Sequence, residues 1–342
     1  MNEYYLNLKK EYNKIYNTFC YQNCLNILLG GLNIENPEYY INKSMSLIVH
    51  KTDGFDLDIE FGIYARSLLP KYDSKVIRLF PESDYLTVFN ENIDYIQQHD
   101  PIIVGVDSFH LSYLPYFHKS HGRHTIIMTG YDKVKSEVEI VDWMEPWFYR
   151  GYIPVDEFLN ARNSLNESDG GMFAGNPVMN NWAKVIDKNG WDASLDEIIK
   201  YTLDLSLQQY YFAENHNDAY YGINALEYIK DMINYLEDQP VDIQSMYLDK
   251  LHKGFFRINR RREFWKYFLS SIHICEGFEN PDLVIQKLDE LIDYSEKYIY
   301  RLIKSIMRRK PGYSEDLSLR LNQMIDMEKE LGGLLYSYTS HA

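Results

Sequence analysis

Three short runs rich in β-branched residues follow one another in the first half of the chain. They read PIIVGVD (101–107), HTIIMTGYD (124–132) and EVEIVDW (137–143), and the turn-forming stretch DKVKS separates the last two. Runs of this length and composition predict β-strands, and a short polar connection between two of them predicts a hairpin. We therefore expect an antiparallel sheet in this part of the chain.

Helical patterns lie on both sides of the predicted sheet. CLNILLGGL ends on Gly30-Gly31, as a helix often does, and Asn17 or Thr18 is a candidate cap for its start. DYLTVFNENIDYIQQHD and PVDEFLNARNS predict two further helices, and KVIRLF predicts one more strand.

The pattern changes after the loop-like stretch NESDGGMFAGNPVMNNW (166–182). Beyond it, four or five segments place apolar residues at i, i+3, i+4 and i+7, which predicts amphipathic helices and favours a bundle. The predicted fold class is therefore α+β. We expect a catalytic domain over 1–165, a linker or crossing segment over 166–190 and an α-helical domain over 191–342.

Composition narrows the range of partners and locations. The chain has 342 residues, a formal net charge of -15 and 45% hydrophobic residues, which is an ordinary globular balance. Its negative charge disfavours nucleic acid and anionic membranes as partners. The first residues contain no apolar signal region, and no apolar run approaches the ~20 residues that span a bilayer. Three cysteines, an odd number, are typical of a reducing compartment, so a cytoplasmic location is expected.

Two of the three cysteines lie one helical turn apart in NTFCYQNCLNILLG (17–30). Cys20 lies at the predicted start of the helix, where the helix dipole favours a thiolate and lowers the thiol pKa. Cys24 faces the same side and precedes an apolar run, so we interpret it as a core residue. A cysteine on an apolar helix face is usually only a small core residue, and Cys20 needs partners to be a nucleophile.

Suitable partners stand on the predicted hairpin. His124 opens one strand and Asp142 lies near the end of the next. Antiparallel pairing brings the start of one strand beside the end of the other, so the two side chains are expected to meet. An imidazole activates a thiol, and an acceptor on its other nitrogen fixes the tautomer. The sequence thus has Cys, His and Asp in papain-like chain order.

Other site chemistries find less support. His118, His121 and His124 recur at a spacing of three, but no carboxylate or cysteine accompanies them in a zinc-like pattern, so no metal is expected. The cysteine spacing does not continue to a third cysteine, since position 27 is Ile27. The chain contains no phosphate-binding loop, dinucleotide fingerprint or H-E-x-x-H motif.

A longer pattern resembles the family of butirosin biosynthesis protein H, in its N-terminal domain, which looks like a branch of the papain-like cysteine peptidase superfamily. The segment VDSFHLSYLPYFHKSHGRHTIIMTGYDKVKSEVEIVDW carries it, together with the cysteine of CLNILL. The pattern consists of an aspartate after a strand (Asp107), LPY (114–116), two histidines (His121 and His124), GYD (130–132) and a final aspartate (Asp142). IPVDEFLNARNS and the helical second half also look like the family's continuation.

The resemblance implies a papain-like, cysteine-protease-type domain whose helix carries the cysteine and packs on an antiparallel sheet. It also implies an acyltransferase of non-ribosomal peptide, polyketide or aminoglycoside biosynthesis. Such an enzyme moves an acyl or aminoacyl group from a carrier-protein thioester to a small amine acceptor. Cys20 would be the nucleophile, His124 the general base and Asp142 the residue that orients it. No resident cofactor is implied, because the acyl group arrives on the 4'-phosphopantetheine of an acyl or peptidyl carrier protein.

The chain departs from the family pattern at two positions. Phe19 precedes the cysteine where the family often has a histidine, and Lys14 stands where a papain-like enzyme has its oxyanion glutamine. Asn17, or Asn13, is the candidate donor in its place, together with the backbone N–H of Cys20. Three further residues are candidates for the substrate cleft, namely Asp107, Tyr116 and His121.

Two competing functions remain open. The same three residues would support hydrolysis by a thioesterase, amidase or peptidase, and a degenerate cleft would make the chain a non-catalytic binding protein. A basic cluster in the second half is either a docking surface for an acidic carrier protein or a solvated helix face (Lys253, Arg257, Arg260, Arg261, Arg262 and Lys266).

Overall fold

The computed structural model describes most of the chain, namely residues 16, 19–51, 57–60, 67–81, 84–144, 147–169, 171, 173–216, 219–271, 281–308 and 312–339. The chain forms two compact units. The first contains Met1–Ile41 and Ser67–Asp192, and the second contains Asn42–Arg66 and Ala193–Ala342. The backbone thus leaves the first unit after Ile41, returns to it at Ser67 and enters the second unit again at Ala193.

Eight α-helices and nine strands occur in the described part of the chain. The helices are α1 (Cys20–Gly31), α2 (Tyr85–Gln97), α3 (Val155–Arg162), α4 (Leu195–Ser206), α5 (Gly222–Asn234), α6 (Val241–Ser271), α7 (Pro281–Arg308) and α8 (Tyr313–Thr339). The strands are β1 (Ile48–Lys51), β2 (Leu57–Glu60), β3 (Val76–Leu79), β4 (Ile102–Asp107), β5 (Arg123–Asp132), β6 (Glu137–Met144), β7 (Trp147–Pro154), β8 (Trp182–Val185) and β9 (Ala219–Tyr221). The predicted α+β class is confirmed.

A six-stranded antiparallel sheet is the centre of the first unit, with strand order β3-β8-β4-β5-β6-β7. The three strands predicted between residues 101 and 143 are β4, β5 and β6. The predicted hairpin joins β5 to β6, and its turn is held by Asp132, whose Oδ1 accepts the N–H groups of Val134 and Lys135 at 2.9 and 3.1 Å. This local Asx-type turn fixes which residues of the two strands face each other.

Helices α2 and α3 bury their apolar faces in one core with the sheet. Val88 and Phe89 of α2 and Phe158 of α3 meet the alternating apolar residues of β4 and β5, such as Val104 and Ile126. All five of these side chains are buried, so this core removes a large apolar area from water and holds the strand ends that carry the site.

Helix α1 begins at Cys20, as predicted, and packs against β5 and β6. The residue before it is the buried Phe19, whose side chain does not cap the helix. The predicted caps, Asn17 and Thr18, lie outside the described residues. Leu25, Leu28 and Leu29 are buried, so packing of this apolar face holds the helix in place.

The segment predicted as a linker or crossing segment contains β8, which lies between β3 and β4. Arg162 helps to hold this segment, since its guanidinium donates to the carbonyl oxygens of Asn181 and Asn180 at 2.6 and 2.7 Å. The predicted division at 166–190 stays a prediction about domains. The compact units divide the chain after Asp192 and, in addition, place residues 42–66 with the second unit.

The second unit combines a three-stranded sheet, with order β2-β1-β9, and the five helices α4 to α8. Helix α7 packs on α6 and on α8, and α5 packs on α8. Helix α6, with 31 residues, is the longest helix of the described part of the chain. Among the residues that the structure describes, no helix combines the length and the apolar character needed to cross a membrane.

The basic cluster of α6 is not one exposed surface. Arg262 is fully buried and pairs with the buried Glu328 at 2.6 Å, and Arg261 is buried with its guanidinium on the carbonyl oxygens of Ser44 and Asn42 at 2.7 and 2.9 Å. Both interpretations of the cluster, a docking surface and a solvated helix face, are therefore wrong for these two arginines. They serve the interior of the second unit.

Candidate active site

Cys20 is the first residue of α1 and is partly exposed. The first turn of a helix leaves backbone N–H groups without intrahelical partners, and the positive end of the helix dipole lies there. No acidic residue occurs in this turn, CYQN, so nothing in it offsets the positive field. The position suits a thiolate.

His124 and Asp142 meet as the hairpin predicted. The Nε2 atom of His124 lies 2.9 Å from Oδ1 of Asp142, and both side chains are buried. His124 is the second residue of β5 and faces Val106 of β4 in the sheet register, while Asp142 lies near the end of β6. The pairing follows from the hairpin alone, because two neighbouring strands supply both residues.

Cys20 and His124 lie close enough for a side-chain hydrogen bond and the charge of each group to shift the pKa of the other. Since Nε2 of the imidazole faces Asp142, the remaining nitrogen, Nδ1, is the one available to the thiol. The structure thus brings the three predicted catalytic residues together in the order thiol, imidazole, carboxylate. This order is that of a nucleophile, a base and a group that orients the base.

Electrostatics favour the thiolate–imidazolium pair. Burial of the sulfur raises the pKa of Cys20, but the hydrogen bond and charge of His124 and hydrogen bonds from Thr125 outweigh it, so the pKa is lowered. Burial lowers the pKa of His124, but the charge and hydrogen bond of Asp142 and the contact with Cys20 outweigh it, and the pKa is raised well above its ordinary value. Each shift stabilises the charged form of its own group.

Tyr113 is a fourth residue at the site, and the sequence analysis did not find it. Its hydroxyl donates to Oδ2 of Asp142 at 2.9 Å, and its ring stacks on Tyr149 with centroids 4.1 Å apart. Tyr113 lies in the loop between β4 and β5 (108–122, hereafter the β4–β5 loop). Only its place directly before LPY (114–116), within the stretch that resembles the family, was a signal.

Cys24 has the surroundings of a core residue, as interpreted from the sequence. It is buried, and its thiol donates to the carbonyl oxygen of Thr125 at 3.3 Å. Burial, followed by the negative charges of Cys20 and Asp142, raises the pKa of Cys24 well above its ordinary value. The neighbouring Asn23 donates to the carbonyl oxygen of Trp143 at 3.1 Å, which ties α1 to the strand end beside Asp142.

The predicted cleft residues have different surroundings. Asp107 is fully buried and accepts hydrogen bonds from Nδ1 of His121 at 2.7 Å and from Oγ of Ser164 at 2.6 Å. It also accepts the backbone N–H groups of Phe109 and Gly122, each at 3.0 Å. These bonds close the β4–β5 loop.

Tyr116 is the most exposed of the predicted cleft residues, with 41% of its surface in solvent. The imidazole of His121 stacks on Phe109, with centroids 4.2 Å apart, and is 16% exposed. Contact of these residues with a substrate stays a prediction. The proposed oxyanion donors, Asn17 and Asn13, lie outside the described residues.

The three histidines at a spacing of three do not converge. His121 and His124 each face a different aspartate, and the ring of His118 stacks on Phe117 with centroids 3.9 Å apart. Within the described residues, no group of three or more histidine, cysteine, aspartate or glutamate side chains is arranged to hold a metal ion.

The fold and site therefore define an α+β domain with a thiol on a helix and an imidazole–carboxylate pair on two adjacent strands. The family model described as butirosin biosynthesis protein H, N-terminal, matches residues 84–143. Residues 84–143 therefore resemble the N-terminal domain of a protein of butirosin biosynthesis. A comparison with curated proteins finds no significant match.

The matched segment runs from α2 to the end of β6. It contains His124, Asp142 and Tyr113, whereas Cys20 lies outside it. The imidazole–carboxylate pair therefore lies within the matched segment, and α1, which carries the thiol, packs against the two strands of that pair. A papain-like origin of the domain remains an interpretation.

Proposed function

We propose that this chain is a cysteine-dependent acyltransferase that moves an acyl or aminoacyl group from a carrier-protein thioester to an amine in antibiotic biosynthesis. One observation carries the proposal. The thiol of Cys20 lies within interaction range of His124, whose Nε2 lies 2.9 Å from Asp142, and the pKa shifts of the thiol and the imidazole favour the thiolate and the imidazolium. Acyl transfer through a covalent intermediate needs this kind of activated nucleophile.

In the first half-reaction the Cys20 thiolate attacks the carbonyl carbon of the thioester. A tetrahedral oxyanion forms and collapses, so that the bond between the acyl carbon and the carrier sulfur breaks. The imidazolium of His124 donates its Nδ1 proton to the departing sulfur, which leaves as a thiol. The products are acyl-Cys20 and a neutral His124.

In the second half-reaction the neutral His124 accepts a proton from the incoming amine as the amine nitrogen attacks acyl-Cys20. The bond from the acyl carbon to Sγ breaks, an amide forms, and the thiolate–imidazolium pair is restored. Asp142 keeps the ring oriented and stabilises its positive charge in both halves. The exchange of one thioester for another changes the free energy little. The enzyme therefore mainly has to orient the acceptor and exclude water.

The transfer to an amine and the carrier protein as donor derive from the family resemblance, whereas the nucleophile derives from the geometry. A hydrolase with the same three residues shares the first half-reaction. The two functions separate only in the second half-reaction, where either an amine or water takes the acyl group.

The test uses aminoacyl thioesters of N-acetylcysteamine as donors, which present the same reacting carbonyl as a carrier thioester. Mass spectrometry of the intact protein is expected to show one acyl group, located on Cys20 by peptide mapping. The variant Cys20→Ala should gain none, and Cys24→Ala should gain the same mass as the wild type. No acyl adduct with any donor, or an adduct that survives Cys20→Ala, would contradict the proposal.

The second stage adds a panel of amines to the acylated protein. We expect at least one amine to accelerate deacylation and to appear as an amide product. Deacylation at one rate, whatever amine is present, would contradict transfer and support hydrolysis by the same thiol.

A further inference from the structure

We propose that Tyr113 is a positioning residue of this site, which holds the carboxylate of Asp142 so that Oδ1 faces His124. The inference rests on the proposed function, because it concerns how the thiol is activated. It adds to the site a residue that the β4–β5 loop carries.

The two oxygens of Asp142 have different partners. Oδ1 lies 2.9 Å from the imidazole of His124, and Oδ2 accepts the hydroxyl proton of Tyr113 at 2.9 Å. A carboxylate bound through one oxygen can still rotate about its last side-chain bond. A donor on the second oxygen removes that freedom, and the buried carboxylate has both of its oxygens satisfied.

Tyr113 is itself held on two sides. Its ring stacks on Tyr149 at an interplanar angle of 12°, and the hydroxyl of Tyr149 donates to the carbonyl oxygen of Tyr152 at 2.9 Å. The preceding residue, Ser112, donates through its N–H and its hydroxyl to Oε1 of Glu157 at 2.8 and 3.0 Å. Strand β7 and helix α3 therefore both hold the phenol in place.

The chemistry of the phenol suits this role. Burial, followed by the charge and hydrogen bond of Asp142, raises the pKa of Tyr113 well above its ordinary value, so the hydroxyl keeps its proton. A neutral phenol donates a hydrogen bond to the carboxylate and carries no charge of its own. Asp142 remains free to stabilise the positive charge of His124, and through it the Cys20 thiolate.

The test compares Tyr113→Phe with Tyr131→Phe, a matched control that removes a tyrosine hydroxyl at the other end of β5, where Tyr131 packs against the same core. The readout is the rate of alkylation of Cys20 by iodoacetamide as a function of pH, which reports the thiolate. The variant Tyr113→Phe is expected to raise the apparent pKa of Cys20 by about one unit and to lower the rate below that pKa about tenfold, the scale of one hydrogen bond to a charged group. Tyr131→Phe should give the wild-type curve.

A double-mutant cycle separates positioning from a general loss of packing. Tyr113→Phe should change the rate in the wild type but not in Asp142→Ala, because no carboxylate is left to orient. A Tyr113→Phe curve that coincides with the wild type, or an equal effect of Tyr113→Phe in the Asp142→Ala background, would overturn the inference.

The failure of this inference can be told apart from the failure of the proposed function. If His124→Ala does not raise the apparent pKa of Cys20, the activation of the thiol fails, and both proposals fall. If His124→Ala raises it and Tyr113→Phe does not, only the role of Tyr113 falls.

Discussion

The first unit contains two histidine–aspartate pairs, which differ in their surroundings and in their roles. His124 meets Asp142 at 2.9 Å, and His121, three residues earlier, meets Asp107 at 2.7 Å. Asp107 receives three further hydrogen bonds, two of them from backbone N–H groups, whereas Asp142 receives one, from Tyr113. Asp107, with four donors, anchors the β4–β5 loop. Asp142 has two donors, the imidazole of His124 and the hydroxyl of Tyr113, and its negative charge stabilises the positive charge of that imidazole.

The histidines of the two pairs differ as well. The imidazole of His124 is buried and faces a thiol, whereas that of His121 stacks on Phe109 and is partly exposed. The same two residue types therefore form a candidate catalytic pair in one place and a loop anchor in the other. The neighbours of each pair decide which.

The largest effect is expected from removing the two histidines in turn. His124→Ala should lower the rate of Cys20 alkylation at pH 6.5 about 100-fold, because an unassisted thiol with a pKa of ~8.5 is about 1% thiolate there. His121→Ala should leave this rate within about twofold of the wild type. A similar loss in both variants, measured at equal folded fraction by circular dichroism, would remove the distinction between the pairs.

Removing the two aspartates in turn is expected to lower the stability of the fold. Asp107→Ala should lower the free energy of unfolding by about 3–5 kcal/mol, because four donors lose their buried acceptor. Asp142→Ala removes the acceptor of only two donors and should cost about half as much. Urea titration measures both values, and Asp107→Asn is the control that keeps the shape of the side chain. Equal losses for the two alanine variants would contradict the assignment of Asp107 as the anchor.

The same titrations repeated across pH sharpen this comparison. Burial raises the pKa of Asp107, but the donors outweigh it and the pKa is lowered, so its stabilisation is complete above the unfolded pKa of ~3.9 and is lost as the pH falls through the lower folded value. The raised pKa of His124 acts in the opposite sense. Its stabilisation is complete below the unfolded pKa of ~6.5 and is lost as the pH rises through the folded value. Asp107→Ala should therefore weaken the acid dependence of stability, and His124→Ala the alkaline dependence.

The smallest effect is expected at Cys24. Cys24→Ala removes a buried sulfur with one weak hydrogen bond and should cost about 1 kcal/mol of stability. Alkylation of Cys20 should not change, and Cys24 of the wild type should react only after unfolding. Modification of Cys24 in the folded protein, at a rate like that of Cys20, would contradict its role as a core residue.

The sequence predicted the parts of the site that depend on local structure. The helical pattern in the sequence predicts that α1 starts at Cys20. The hairpin pattern predicts that His124 meets Asp142. Tyr113 was not predictable in this way. An aromatic residue in a loop has no periodicity, and only the folded β4–β5 loop brings its hydroxyl to Asp142.

The remaining differences come from contacts distant in sequence. Strand β8 lies in a segment rich in glycine, asparagine and proline, and it is a strand because β3 and β4 pair with it. Arg262 was counted with a basic surface because its neighbours in sequence are basic. Its partner Glu328 lies 66 residues away and makes a buried position favourable.

Strand β8 also determines when the sheet can be completed during synthesis. Among the described strands, β3 is joined to the sheet only through β8, and β4 has β8 on one side. Until residues 182–185 have left the ribosome, both strands keep an edge of unpaired N–H and C=O groups, and such edges invite aggregation. A fragment that ends at residue 165 would keep these edges permanently, although it contains Cys20, His124 and Asp142. We therefore expect that a fragment has to include β8 to carry the site in a stable fold.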